Sequence, residues 1–247
     1  MKKNLPAIIL TTILLVLWQV IAMIINAHYI LPSPTQILVK LWELKEPLFL
    51  VHLPATMGVT ILGLAISIIL GLALAIFMDM SEKVENALYP VVIASQTIPT
   101  TAIAPLFVLW FGYSIWSKVL VTILITFFPI AIAVHDGFKA TKREMEELLI
   151  TYGANRKDIF IKLKIPTALP YFFSAIKMAV PLSIIGAAIA EWLGAQSGLG
   201  YFSKRMMTQL DGAGVFAPIV LLSLIAIIIV AIVNIIEKKV IKWRKEI

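Results

Sequence analysis

Two charged side chains, Lys177 and Glu191, fall inside a long apolar run, and charge is costly enough in lipid to make each a candidate for function. Lys177 stands about two turns from one end of the run, where a long stem can snorkel to the headgroups. Glu191 comes about 20 residues into it, beside Trp192 and the small-residue stretch GAQSGLGY at 194–201, and reads as part of an outer mouth rather than a midplane relay. A carrier driven by protons or sodium needs ionisable groups near the midplane. Their scarcity implies that the energy for any transport comes from elsewhere.

Enzyme chemistry has little to work with. The chain has no cysteine, which removes disulfides, thiolate metal sites and cysteine nucleophiles. It contains no GxxxxGK phosphate loop, no HExxH pair and no GxSxG elbow, and His28, His52 and His135 stand in separate loops or span ends. No catalytic residue and no metal site is expected.

The elements that must position these residues are membrane helices. Apolar residues make up 60% of the chain and charged residues 14%, and apolar runs recur along its whole length. A bilayer core of about 30 Å takes roughly 20 helical residues. Six stretches qualify: 5–27, 54–78, 87–111, 116–135, 171–192 and 215–236. They are continuously apolar rather than alternating, so they read as helices and not barrel strands. The first run is too long for a signal-peptide core and lacks a small-residue cleavage site, so it is kept as a span.

Basic residues favour the cytoplasmic side of a membrane. Lys2, Lys3, Lys83, the set from Lys139 to Lys164 and the tail from Lys238 to Lys245 fall on one side. Lys40, Lys45, Lys118, Lys204 and Arg205 fall on the other. Both termini are therefore expected in the cytoplasm. The formal charge of +7 flanks spans and forms no separate basic domain, so no nucleic acid partner is expected.

Within the spans, Gly63, Ser67, Gly71 and Ala75 recur at steps of four, and Ser183, Gly186, Ala187, Ala190 and Gly194 repeat the pattern later. Small residues on one face admit a neighbouring helix, either for packing or for a sliding contact. The third span carries Pro90, Pro99 and Pro105 with Gln96, Thr97, Thr100 and Thr101 beside the breaks. Two readings stand there: an irregular backbone lining a wet pathway, or a kinked helix whose threonines bond their own backbone.

Between the fourth and fifth spans lies EELLITYGANRKDIFIKLKIP (146–166). Met145, Leu148, Leu149 and Tyr152 form one face of a short amphipathic helix, with Glu144, Glu146 and Glu147 in its first turns. Gly153 suits the left-handed position that ends a helix, and Asn155 with Asp158 makes a capping-box variant that starts another. Ile159, Phe160 and Leu163 share a face of this second helix, which Pro166 and Pro170 are expected to close. Helices this short are marginal alone. They must be held by the membrane domain, by anionic headgroups or by a soluble partner.

The segment resembles the cytoplasmic motif of permease subunits of binding-protein-dependent ABC importers: EAA, three residues, G, nine residues, I, one residue, LP. Glu147 takes the glutamate, Leu148 and Leu149 the alanines, Gly153 the glycine, Leu163 the isoleucine, Ile165 the leucine and Pro166 the proline. Both alanines are replaced by leucine, which enlarges the helix surface. ALYPVVIASQTIPTTAIAPLFVLWFG (87–112) and AEWLGAQSGLGY (190–201) also look like the nitrate, sulfonate, taurine and thiamine-precursor branch, so the resemblance covers nearly the whole chain.

The resemblance implies an all-α integral membrane protein of about six transmembrane helices with the type I ABC importer permease fold (MetI-like), one transmembrane domain over 1–247. It implies a bacterial or archaeal cell membrane and an assembly of two permease copies, most simply a homodimer. Two cytoplasmic ABC ATPase subunits and an extracytoplasmic substrate-binding protein complete it. ATP is bound by the ATPase, so no cofactor is expected in this chain. The coupling loop spans 136–170, with Met145, Glu147, Leu148, Leu149, Tyr152, Gly153, Ala154, Arg156, Asp158, Ile159, Phe160, Leu163 and Pro166 as its contact residues. Gln96, Thr97, Thr100, Thr101, Ser183, Gly186 and Glu191 are the expected pathway lining. SIIGAAIAEWLGAQSGLGYFSKRM and DGAGVF look most like permeases for thiamine pyrimidine precursors, with riboflavin and sulfonate, taurine or nitrate permeases as alternatives. An ion-coupled secondary transporter is the alternative class.

Overall fold

The structure, a computed structural model, describes residues 5–243; Lys2, Lys3, Arg244 and Lys245 of the basic set lie outside the described residues. Among the described residues all regular structure is helical: α1 (Leu5–Ile25), α2 (Pro34–Glu43), α3 (Leu53–Met80), α4 (Glu82–Ser95), α5 (Thr100–Phe111), α6 (Ile115–Lys139), α7 (Arg143–Thr151), α8 (Arg156–Ile159), α9 (Ile165–Gly194), α10 (Leu199–Thr208) and α11 (Gly212–Val240). Five helical units are long and apolar enough to cross a bilayer, and a sixth arises if the bent pair α4 and α5 counts as one span.

Helices α3, α6 and α9 form the centre. Gly63 and Gly71 of α3 lie so close to Thr122 and Ile130 of α6 that an added Cβ would stand 2.6 Å and 2.8 Å from those side chains. Between them Ser67 Oγ and Thr126 Oγ1 share a hydrogen bond of 2.6 Å. The stripe of small residues is thus a packing seam, with Ala75 continuing it into a cluster of Ile130, Val134, Phe138, Ala168, Ala179 and Val180. On the other flank of α6, Gly186 meets Thr122 and Ile125, and Gly137 meets Ala168 and Tyr171. Helix α1 is peripheral, with Ala22 its one buried residue.

Three boundaries differ from the sequence expectation. The third span is not a continuous kinked helix: α4 and α5 meet at 92° across residues 96–99. Pro90 and Pro105 stay inside helices, while Pro99, with ψ 112°, caps α5 from outside it. Proline lacks an N–H and pushes the residue before it out of the helical region, so the ladder stops there.

Pro166 and Pro170 do not close the loop segment. Arg156–Gly194 is one helical unit of 39 residues, in which Phe160–Lys164 is π-helical. The second span likewise begins earlier, at Pro47, and its π-helical turn Pro47–His52 precedes Pro54. In both cases the widened turn comes directly before a proline and absorbs the missing donor without ending the helix.

The Lys177 ammonium donates to Glu237 Oε2 in the last turns of α11 at 2.8 Å, a partner that the sequence reading did not foresee. Glu85 of α4 likewise holds Lys139 at 2.6 Å and His135 at 3.1 Å. These pairs tie α9 to the last turns of α11 and the first turn of α4 to the end of α6.

Candidate functional site

Helix α7 contains no buried residue. Met145 is 45% exposed, Leu148 47% and Tyr152 81%, with Leu149 half-buried. Its amphipathic face is therefore turned outward, not into the spans. Glu147 pairs with Arg143 one turn earlier at 2.9 Å. Gly153 follows in the left-handed region, φ 83°, and donates to the Ile150 carbonyl at 2.8 Å. Only glycine holds that conformation without strain, so the chain turns sharply here.

Asn155 then caps α8: its Oδ1 accepts the Asp158 N–H at 2.9 Å, and Asp158 accepts the Asn155 N–H at 3.4 Å. The reciprocal pair expected from the sequence is present. Asp158 also pairs with Lys162 at 2.8 Å. Ile159 is buried and the Phe160 ring lies 5.4 Å from that of Phe138, which fastens the loop to α6. Ala154, Leu163 and Pro166 are half-buried and Arg156 is exposed. An outward apolar ridge is thus joined through one sharp turn to a helix that runs into the membrane.

The expected pathway residues separate into three places. Gln96 and Thr100 line an open cavity of about 340 Å³ at the α4–α5 break, together with Ser95, Pro99, Phe128 and Pro129. Phe128 and Pro129 are near the middle of α6, so the break lies level with the middle of that helix, on an exposed face of the bundle. Thr97 is exposed and donates to the Ala94 carbonyl at 2.7 Å, the local bond of the kinked-helix reading. Thr101 faces a second cavity of about 600 Å³, with Pro181, Ile184, Trp192 and Ser223. Ser183 is fully buried and donates to the Val180 carbonyl at 2.8 Å, and Gly186 is spent on the α6 contact.

Glu191 is 1% exposed. Its Oε2 accepts the Gly200 N–H at 2.8 Å and the Thr56 hydroxyl at 3.1 Å, while Oε1 meets no donor. Thr56 accepts the Leu199 N–H at 2.8 Å, and His52 Nδ1 accepts the Gly198 N–H at 3.1 Å. The side chain expected at an open mouth is instead the anchor under α10. His28 bonds Gln36 at 2.7 Å, so each histidine has a different setting. Among the described residues no group of three acidic or histidine side chains could hold a metal ion.

A bundle with a broken span, a cavity at mid-depth and an outward ridge tied to a spanning helix defines a transport subunit rather than an enzyme. The chain belongs to the family described as "Binding-protein-dependent transport system inner membrane component", which matches residues 67–242. It is the multi-pass permease of an ABC importer in the inner membrane. It is 53% identical over 233 residues to the "Formylaminopyrimidine transport permease protein ThiX" of Halalkalibacterium halodurans, covering 94% of this chain and 93% of that one. The "Riboflavin transport system permease protein RibX" of Chloroflexus aurantiacus is 32% identical, covering 94% and 87%. The solved structure titled "Crystal structure of an amino acid ABC transporter with histidines" matches with a TM-score of 0.62 at 17% identity, over 81% of this chain and 95% of that one, which supports the fold.

Sequence reasoning missed the long-range polar contacts. Asp79 with Lys164 and Glu85 with Lys139 join residues far apart in the chain, and no local pattern announces them. Gly198 and Gly200 did carry a signal, since two glycines beside a buried-run glutamate mark a close approach.

Proposed function

We propose that this chain imports a formylaminopyrimidine-type precursor as one of two identical permease subunits, with α7 seated on a separate cytoplasmic ATPase that binds the ATP. The observation that carries the coupling role is the exposed ridge Met145, Leu148 and Tyr152, joined through the Gly153 turn to the helical unit Arg156–Gly194. Apolar aromatic and aliphatic anchors on a short rigid helix are what a groove on a partner grips.

The loop end faces the cytoplasm in this reading. Lys83, Lys139, Lys142, Arg143, Arg156, Lys157 and Lys162 crowd that end. The opposite end, with α2 and α10, then meets the substrate-binding protein. ATP binding draws the paired loops together and opens the pathway outward; hydrolysis resets it. Moving such an equilibrium from 1:99 to 99:1 takes about 5.5 kcal/mol of differential binding.

The pathway runs past the α4–α5 break. Gln96 offers an amide with both donor and acceptor, and Phe128 a ring, in a cavity of about 340 Å³. That combination suits a small planar heterocycle with ring nitrogens. The identity to the formylaminopyrimidine permease supports this substrate, and the riboflavin relative makes a larger flat heterocycle the second reading.

The test is reconstitution in liposomes with the ATPase and the binding protein. ATP-dependent uptake of formylaminopyrimidine is expected; uptake of riboflavin alone removes the substrate assignment. Gly153→Pro should insert normally yet lose substrate-stimulated ATP hydrolysis, because proline cannot take φ 83°. Full coupling in that variant, with the ATPases still bound, removes the assignment of the loop.

A further inference from the structure

Lys164 occupies the one unspecified place between Leu163 and Ile165 of the loop pattern. It closes the π-helical segment Phe160–Lys164, where the loop becomes a span. Its ammonium lies 2.8 Å and 3.0 Å from the two oxygens of Asp79, in the last turn of α3, and 3.7 Å from Glu146 of α7. The side chains of Lys164 and Asp79 are only 19% and 8% exposed. One cation therefore meets the exposed helix, the base of α9 and the end of α3.

Apolar contacts converge on the same end of the bundle. Phe160 rests on Phe138, and Gly137 closes against Ala168 and Tyr171, so they bind the loop and α9 to α6. Helix α3 meets α6 along Gly63, Ser67 and Gly71, and its Ala75 shares an apolar cluster with Ala168 and Ala179 of α9, contacts that hold it in the bundle. A charge-assisted hydrogen bond is directional, and it strengthens as water is excluded. The pair adds to this packing a directional contact between the base of the loop and the last turn of α3.

We propose that the Lys164–Asp79 pair is the joint that passes movement of the docked loop to α3, so that α3 travels with α9 when the ATPases close. Lys164 and Asp79 are positioning residues of the transport cycle, in contact with neither substrate nor nucleotide. This rests on α7 being the element that docks on the ATPase.

The test uses the complete complex in liposomes, reading three quantities: ATPase co-purification, ATP hydrolysis, and substrate molecules imported per ATP. In Lys164→Met and Asp79→Asn the ATPase stays bound and hydrolysis continues, while import per ATP falls about tenfold. The conservative variants Lys164→Arg and Asp79→Glu keep most of it, which a requirement for packing volume alone does not predict. If the single variants fail to fold, the double variant Lys164→Met/Asp79→Leu carries the test, because it leaves no charge unpaired. Import per ATP at the parent value in a folded variant lacking the pair overturns the joint. Release of the ATPase from a folded variant also overturns it, since the pair then only shapes the docking surface. Failure of the parent complex to hold any ATPase through α7 counts against the loop reading itself and is seen before any variant is made.

Discussion

Glu191 accepts the Gly200 N–H at 2.8 Å, so the last turn of α9 is closed onto the first turn of α10. The approach is possible because Gly198, at φ 118°, has no side chain: a Cβ there would run into the Glu191 carboxyl. A carboxylate inside the bundle thus takes over the capping of a helix that no side chain of its own N-cap serves.

Gly198→Ala should therefore cost roughly 2–4 kcal/mol, combining left-handed strain with overpacking. Glu191→Ala should cost about 1–3 kcal/mol by stranding the Gly200 donor. Glu191→Gln, which keeps an acceptor, should cost less. Thermal unfolding of the purified permease in detergent gives the ranking, and an unchanged midpoint for Gly198→Ala removes this account of the turn.

The α3–α6 seam makes a second prediction. Gly71→Val forces two methyl groups toward Ile130, whose side chain is already within 2.8 Å of an added Cβ. The expected loss is about 1–3 kcal/mol. Gly58 meets nothing within 4 Å, so Gly58→Ala in the same helix serves as the tolerated control.

At the C-cap of α7 the direction reverses. Tyr152 is 81% exposed, and Tyr152→Ala should leave the unfolding midpoint of the isolated permease within about 0.5 kcal/mol of the parent. Affinity for the ATPase should drop by about 2 kcal/mol, roughly thirtyfold. Binding of purified ATPase to immobilised permease measures it; equal affinity places the contact elsewhere.

A pH dependence arises at the opposite end, where Asp211 caps α11 through the Gly214 N–H at 2.9 Å and pairs with Lys40 of α2 at 3.0 Å. Burial pushes the Asp211 carboxyl up, but the Gly214 donor and Lys40 outweigh it and hold it below its usual 3.8. Lys40 is held above its usual 10.5, first by its hydrogen bond to Asp211 and against burial. The Asp211 contribution is present above the unfolded carboxylate value and lost as pH falls through the folded one. The Lys40 contribution is present below the unfolded lysine value and lost as pH rises through the folded one. Asp211→Asn should destabilise by about 1 kcal/mol between about pH 5 and 9, and the gap to the parent should narrow in acid. A gap that widens in acid contradicts the pairing.

Much of this protein is legible along the chain. Apolar runs near bilayer length fix an all-helical membrane protein, because lipid makes each backbone satisfy itself. The turn at Gly153, the Asn155 and Asp158 cap and the amphipathic pattern of α7 are local features, set by residues within one or two turns of each other. The small-residue stripe on α3 was readable as a face, though only the fold shows that Thr122, Thr126 and Ile130 fill it.

Tertiary structure decided what distant residues do to one another. Lys177 has no foreseeable partner until Glu237 is seen 2.8 Å away, and Glu191 reads as a mouth until α10 is folded over it. Prolines were ambiguous for a related reason. Pro99 breaks a span while Pro166 is absorbed by a π-turn, and which happens depends on whether packing against neighbouring helices compensates the lost hydrogen bond. Periodicity records which face a helix hides; it holds no information about which charge 85 residues away will meet Lys164 there.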